Sequence, residues 1–149
     1  MTIHLAREAA KPMEAVAEVR AVPGKGLEGD RYFNKIGTYS NHPGSGREVT
    51  LIEAEALEAL AREAKVALPP GASRRNIMTR GVPLSHLVGV RFQVGDVVLE
   101  GTRLCEPCMH LEGLTQEGVR AGLIHRGGLR TVIVRGGTIR VGDIVRPAE

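Results

Sequence analysis

The sequence has no tryptophan, and phenylalanine and tyrosine together supply only four of its 149 residues. The core must therefore be built from Val, Leu, Ile and Ala, and the chain is long enough for one such core. No apolar run reaches the roughly 18 residues that a membrane-spanning helix needs. The amino terminus lacks the basic-then-apolar layout of a signal peptide. We therefore expect a cytoplasmic protein with one domain, residues 1–149, and no membrane segment.

Neither positive nor negative charge dominates the sequence. The formal net charge is +3, which is too little to indicate a nucleic-acid partner. The basic residues are unevenly divided, with 16 arginines against 4 lysines. The planar guanidinium suits phosphate and carboxylate groups, although a high arginine share also follows from genome composition or heat adaptation.

Cysteine is scarce, and both copies lie in one stretch, GTRLCEPCMHL, where Cys105 and Cys108 are followed by His110. In a reducing compartment such a pair is more typical of reactive or metal-binding thiols than of a structural disulfide. An unperturbed thiol is only about 3% ionised at neutral pH, so a reactive cysteine needs positive charge nearby. His110 and the arginines can supply that charge. We therefore treat these three residues as the catalytic candidates.

Other interpretations of the cysteine pair stay open. A zinc site would need four ligands, and Cys105, Cys108, His110 and His125 do not have the spacing of a common zinc finger. A dithiol redox centre fits the sequence CEPC but lacks the expected βαβ context. Two buried, inert cysteines are the remaining alternative.

The hydrophobic pattern predicts a strand-rich chain, and the 19 glycines suit its many turns. The predicted strands are Thr2–Ala6, Glu48–Ile52, Asn76–Thr79, two strands within 89–104, Leu129–Arg135 and Thr138–Arg140. The predicted helical segments are Glu53–Lys65, a single turn at Leu84–Val88 and Thr115–Ile124. Residues 13–22 fit either a helix or a strand.

Two short glycine patterns suggest how the strands connect. Gly136–Gly137 predicts a hairpin between the last two predicted strands. Val-Gly-Asp occurs twice, at Val94–Asp96 and Val141–Asp143, which suggests two similar β-corners in a small barrel.

Two loops carry candidate anion contacts. Residues 23–33 contain three closely spaced glycines, which favour a loop with exposed backbone N–H groups, but the ending of a phosphate-binding P-loop is absent. A second cationic cluster precedes the strand at 77. Each loop alone is more typical of a solvated surface, whereas together with a reactive thiol they can wall a site for an anionic organic ligand. The cofactor-binding candidates are Lys25, Asp30, Arg31, Arg74, Arg75 and Asn76.

Several segments, taken in order, resemble a MOSC domain. They are GLEGDRY, VTLIEAEALEAL, RRNI, LVGVRFQVGDVVLEGTRLCEPC and GGTIRVGDIV, and the similarity spans roughly residues 2–146. This domain type forms the carboxyl-terminal part of molybdenum cofactor sulfurases and occurs in the mitochondrial amidoxime-reducing component and in stand-alone bacterial proteins. The resemblance implies a β-rich α+β fold, a small barrel-like mixed sheet with a few short helices, similar to the pyruvate kinase β-barrel domain.

The resemblance also implies a cofactor and a site. The cofactor is the molybdenum cofactor, molybdopterin, and the family's key cysteine matches Cys108, while Cys105 matches a cysteine found in some members. That cysteine either carries sulfur as a persulfide or ligates molybdenum in the reduction of N-hydroxylated compounds. The family's R-x-N-[IV] element matches Arg74, Asn76 and Ile77. An Asp-Arg pair matches residues 30 and 31, with the arginine as the anion contact.

The partners follow from the same resemblance. No pyridoxal phosphate site is evident in this chain, so a sulfur carrier would need a separate pyridoxal-phosphate-dependent cysteine desulfurase. A reductase would need an electron-transfer protein. We expect an enzyme of one of these two kinds, with no nucleic-acid or membrane partner. A non-catalytic module that binds or delivers the cofactor, or a C-x-x-C dithiol protein, is the alternative.

Overall fold

The computed structural model describes residues 2–5, 13–30, 48–65, 74–104 and 127–148. Within these ranges there are eleven strands, one α-helix and a 3-10 helix. They are β1 (Thr2–Leu5), β2 (Glu14–Val16), β3 (Glu18–Val22), β4 (Gly26–Leu27), β5 (Val49–Glu53), α1 (Ala54–Ala64), β6 (Ile77–Thr79), the 3-10 helix (Leu84–Leu87), β7 (Arg91–Val94), β8 (Val97–Leu104), β9 (Leu129–Arg135), β10 (Gly137–Arg140) and β11 (Val145–Pro147).

The strands form two sheets. The larger one has the order β11-β7-β8-β9-β5-β6-β1-β2 and curls into a half-barrel, and the smaller one has the order β10-β3-β4. Strands β5 and β6 pair in parallel because α1 carries the chain back to the same end of the sheet, whereas the other pairs are antiparallel. The strand-rich, barrel-like fold predicted from the sequence is confirmed.

The core lies between the two sheets. The large sheet contributes Ile3, Leu51 and Leu129, and the small sheet contributes Leu27 and Ile139, all with no exposed surface. Among the described core residues Phe92 is aromatic and the others are aliphatic, as the sequence predicts. A helix able to span a bilayer is absent from the described part of the chain.

Helix α1 begins directly after β5, with Glu53 as its amino-terminal cap, and ends at Lys65 in the left-handed conformation. The helical spacing of Leu57, Leu60, Ala61 and Ala64 predicts one inner face, and this prediction is only partly correct. Leu60 is fully buried, but Leu57 is half-buried, and the other buried positions are small alanines. Since no loop separates β5 from α1, the strand sets the rotation of the helix, and the sequence period alone cannot fix it.

The predicted Gly136–Gly137 hairpin is wrong. Strand β10 pairs with β3 in the small sheet, with Ile139 opposite Val19, and not with β9. A Cβ on Gly136 would lie 2.7 Å from the carbonyl oxygen of Ala21, so the chain passes against β3 as it leaves the large sheet. Residues 14–22, which fitted a helix or a strand, form β2 and β3, and β4 is a two-residue strand inside the predicted loop.

The two Val-Gly-Asp turns differ in role but meet in space. Gly95 (φ +59°) turns β7 into β8, while Gly142 (φ +96°) carries the chain from the small sheet to β11. The Gly95 N–H donates to the Ile144 carbonyl over 3.2 Å, and a Cβ on Gly95 would overlap the carboxylate of Asp143. The predicted helix at 115–124 lies outside the described residues.

Candidate functional site

The segment that carries both cysteines starts and finishes at neighbouring strands. Cys105, Cys108, His110 and His125 lie outside the described residues, but β8 ends at residue 104, directly before them, and β9 follows them. Residue 104 pairs with residue 129 in the antiparallel β8–β9 ladder. The two flanks of residues 105–126 are therefore adjacent at one end of the large sheet.

Arg75 is fixed at this position. Its Nε donates a 2.7 Å hydrogen bond to the carbonyl of Gly127, the first described residue after the cysteine segment. The next residue, Gly128, has a φ of +117°, and a Cβ there would overlap the carbonyl oxygen of Leu51 and lie 3.3 Å from Arg75 Nε. The glycine therefore permits the close approach of β9, β5 and Arg75. The structure thus places Arg75, a candidate chosen from the sequence, at the point where the cysteine segment (residues 105–126) returns to the large sheet.

Asn76 is buried, with 2% of its surface exposed, and its amide joins three strands. Its Oδ1 accepts from the backbone N–H of Thr50 (3.1 Å) and from that residue's hydroxyl (3.2 Å). Its Nδ2 donates to the His4 carbonyl (3.1 Å), and the Asn76 backbone N–H donates to Thr50 Oγ1 (3.1 Å). These contacts give Asn76 a structural role between β1, β5 and β6. Its predicted contact with a cofactor stays a prediction.

Arg74 and Asp30 are each close in sequence to a residue that contacts β1. Arg74 precedes Arg75 in a left-handed conformation, with a φ of +66°. Asp30 is fully buried, and a Cβ on the preceding Gly29 would lie 3.7 Å from Leu5 Cδ1, at the end of β1. Strand β1 in turn bonds to residue 76 through the His4 N–H. Residues next to both candidates therefore contact the end of β1.

Lys25 lies on a different part of the structure. It is exposed on a turn whose Gly24 N–H donates to Glu48 Oε1 over 3.0 Å. The same oxygen accepts from the Ile133 N–H over 3.1 Å, so the turn is attached to the start of β5 and the middle of β9. Gly127, where Arg75 binds, lies two residues before β9 and six residues before Ile133. Arg31, the other candidate of this loop, lies outside the described residues, and both roles stay predictions.

Two arginines that we did not single out from the sequence also lie at the base of the cysteine segment. Arg103 on β8 and Arg130 on β9 are direct cross-strand partners. Arg130 is half-buried, and among the described residues its Nη1 atom is buried without a hydrogen-bond partner. The sequence shows each arginine inside a strand, but it does not show that the two strands pair in this register.

Two titratable groups elsewhere are shifted by their surroundings. Burial lowers the pKa of His4, which keeps that imidazole neutral. Burial, and then the charge of Glu55, raises the pKa of Glu53 at the start of α1. No cluster of three or more His, Cys, Asp or Glu side chains suited to a metal ion occurs in the described ranges.

Comparison with known proteins identifies one family. The model of the MOSC domain matches residues 38–146, which is most of the chain. No curated protein matches the sequence.

Solved structures share the fold. The YuaD protein from Bacillus subtilis superposes with a TM-score of 0.80 at 17% identity, covering 97% of this chain and 91% of its own. YiiM from Geobacillus stearothermophilus gives a TM-score of 0.73 at 14% identity, over 99% and 73% of the two chains. YiiM from Escherichia coli gives 0.67 at 18% identity, over 100% and 70%. At these identities the likeness establishes the fold alone.

Proposed function

Because the chain belongs to the MOSC domain family, we propose that it is a molybdenum-cofactor protein, one domain over residues 1–149, in which Cys108 is the reactive centre. The observation that supports this most directly is the bond from Arg75 to Gly127. It fixes a guanidinium where the segment with Cys105 and Cys108 rejoins the sheet. A guanidinium close to the Cys108 thiol would favour the thiolate over the thiol.

The described residues fit the anionic part of such a cofactor. Molybdopterin carries a phosphate, and guanidinium groups are suited to phosphate. Arg74 and Arg75 are consecutive residues, and Arg75 binds Gly127, directly after the cysteine segment. The Nε bond uses one of the five N–H donors of Arg75. Asn76 would act by holding β6, and with it the two arginines, against β1 and β5.

Cys108 can serve such a protein in two ways. As a sulfur carrier, its thiolate attacks the terminal sulfur of a persulfide on a cysteine desulfurase, and the desulfurase leaves as a thiolate, with no net oxidation or reduction. As a metal ligand, it holds the molybdenum with soft sulfur, and the bound centre supplies the reduction of N-hydroxylated compounds with electrons from a partner protein. His110 is the proposed proton carrier in either role.

Metal and sulfur analysis tests the proposal and separates the two roles. The protein is purified from a host that makes the cofactor, and its molybdenum and cyanide-labile sulfur are measured per chain. Molybdenum close to one per chain without labile sulfur supports the ligand role. Labile sulfur without molybdenum supports the carrier role. A protein with neither, when a known molybdenum protein from the same host is loaded, contradicts the proposal.

A further inference from the structure

Arg103 and Arg130 form a pair of like charges where β8 ends and β9 begins. They are direct partners in the β8–β9 ladder, just after the register shift between Gly101 and Arg103. Side chains of directly opposed residues lie on the same face, with Cβ atoms about 5 Å apart, and like charges at this spacing repel. A second component that neutralises them would remove this cost.

The environment of Arg130 strengthens that expectation. Its Nη1 is buried and, within the described ranges, bonds to nothing, although a buried donor of a charged group is costly to leave unpaired. Glu100 on β8 pairs with Val132, two residues after Arg130, so its carboxylate is diagonally opposite Arg130. That carboxylate already accepts a hydrogen bond from Arg91 (Nε to Oε1, 3.2 Å). The hydroxyl of Thr102 donates to the Arg130 carbonyl and so does not serve the guanidinium.

The pair is also close to a third arginine. Arg103 stands two positions before the cysteine segment, and Arg130 stands three positions after Gly127, the carbonyl of which holds Arg75. Three arginines, on β8, on β9 and just before β6, are therefore associated with the two flanks of one segment. Planar guanidinium forks suit the oxygens of a tetrahedral oxyanion.

We propose that Arg103 and Arg130 form a binding site for a phosphate group. We call these two residues the arginine pair. The phosphate oxygens accept from Arg130 Nη1 and from the Arg103 guanidinium, and its negative charge offsets the repulsion between them. The site does not involve Cys108, so it stands or fails separately from the proposed function. The phosphate is either that of an organic phosphate monoester or free inorganic phosphate.

Thermal unfolding of the whole chain tests the site. The melting temperature is measured in inorganic phosphate and in chloride at equal ionic strength, for the wild type, Arg130→Met and Arg103→Met. Phosphate also stabilises proteins generally, but this effect acts on every variant equally. We expect the wild type to gain roughly 5 °C more in phosphate than either variant, as for a ligand at about 10 times its Kd. In chloride, Arg130→Met should melt no lower than the wild type, because it removes an unpaired buried cation.

Arg135→Met is the matched control. Arg135 lies on the same strand as Arg130, is exposed and donates from Nε to the Asp96 carbonyl. Its substitution therefore removes the same charge as Arg130→Met, but at a position away from the arginine pair. It should keep the wild-type gain in phosphate. An equal gain in all four proteins overturns the proposal, and so does a loss in Arg135→Met as large as in Arg130→Met. Arg103 is exposed, so its variant keeps the test decisive if Arg130→Met does not fold.

A titration with glycerol 2-phosphate identifies the source of the phosphate. Binding at least tenfold tighter than that of inorganic phosphate, and lost in Arg103→Met, assigns the site to an organic ester. Binding that is equal or weaker, but equally lost in the variant, assigns it to the free anion. Binding of both anions that is unchanged in Arg103→Met overturns the site.

Discussion

Asn76 shows how one motif residue can serve the scaffold. The family resemblance places it among the cofactor contacts, yet its amide is buried and bonds to Thr50 and to the carbonyl of His4. A buried amide with its bonds made is worth little net energy, but removing one partner leaves the others unsatisfied. The residue therefore has a large effect on stability even before any ligand is considered.

We predict that Asn76→Ala lowers the free energy of unfolding by about 3 kcal/mol in the ligand-free protein, because the Thr50 N–H and the His4 carbonyl are left buried and unpaired. Urea unfolding followed by circular dichroism measures the change. A loss below about 0.5 kcal/mol would show that the amide has no structural role.

Thr50→Val provides the matched comparison. It removes the hydroxyl partner of Asn76 and leaves the amide in place, so the two single losses should add to more than the loss in the double variant. Strictly additive losses would contradict the shared network.

His4, on β1, is another buried polar residue, with 3% of its surface exposed. Burial lowers its pKa below the usual 6.5, so the unfolded chain binds a proton at this residue at a higher pH than the folded chain does. The contribution to stability is therefore complete above about pH 6.5 and is lost as the pH falls through the lowered value.

We predict that His4→Leu loses less stability than the wild type between about pH 7.5 and pH 5.5, as measured by urea unfolding at several pH values. His86→Gln, at an exposed histidine, is the control and should follow the wild-type pH dependence. If His4→Leu loses as much stability as the wild type across this window, His4 is not the residue responsible.

At the scale of elements, the 3-10 helix packs on β8 through a close backbone contact at Gly101. Gly101 is buried, and a Cβ there would overlap the carbonyl oxygen of Leu87 at the end of the 3-10 helix. Its own carbonyl accepts from the Gly89 N–H over 2.8 Å, and its N–H donates to Val90 over 3.1 Å. The 3-10 helix is therefore bound to β8 by backbone contacts that leave no space for a side chain.

We predict that Gly101→Ala lowers the free energy of unfolding by about 3 kcal/mol, since backbone must move to admit the methyl group. Gly89→Ala is the control: Gly89, unlike Gly101, has a positive φ, +76°, but it has open space around it, so backbone strain alone should cost about 1 kcal/mol. Equal losses in chemical unfolding experiments would mean that the contact with Leu87 relaxes freely.

Local patterns were sufficient for most elements and insufficient for their pairing. The acidic start and alanine-rich body of residues 53–65 predict α1, and the alternation of residues 129–135 predicts β9. Gly136–Gly137 looks like a hairpin because the pattern is local, whereas β10 is held by distant residues of β3. The arginine pair was missed for the same reason, because cross-strand register is not written in either strand alone.

At the scale of the molecule, two sheets share one aliphatic core. The segment with both cysteines connects β8 and β9, which are adjacent, at one end of the large sheet. The sequence and the family resemblance were enough to predict the strand-rich fold. They did not predict that Asn76 is buried among strands or that Lys25 is attached to the start of β5. Those positions depend on contacts between residues far apart in the chain.

The most direct test of the proposed function is the combined molybdenum and labile-sulfur content of Cys108→Ser, compared with Cys105→Ser and the wild type, all purified from the same cofactor-producing host. We predict that Cys108→Ser loses at least about nine-tenths of whichever of the two the wild type carries, while Cys105→Ser keeps most of it. Equal loss in both variants, with a disulfide that forms and breaks reversibly in the wild type, would instead indicate a dithiol centre. Full retention in Cys108→Ser would contradict the central role of that cysteine.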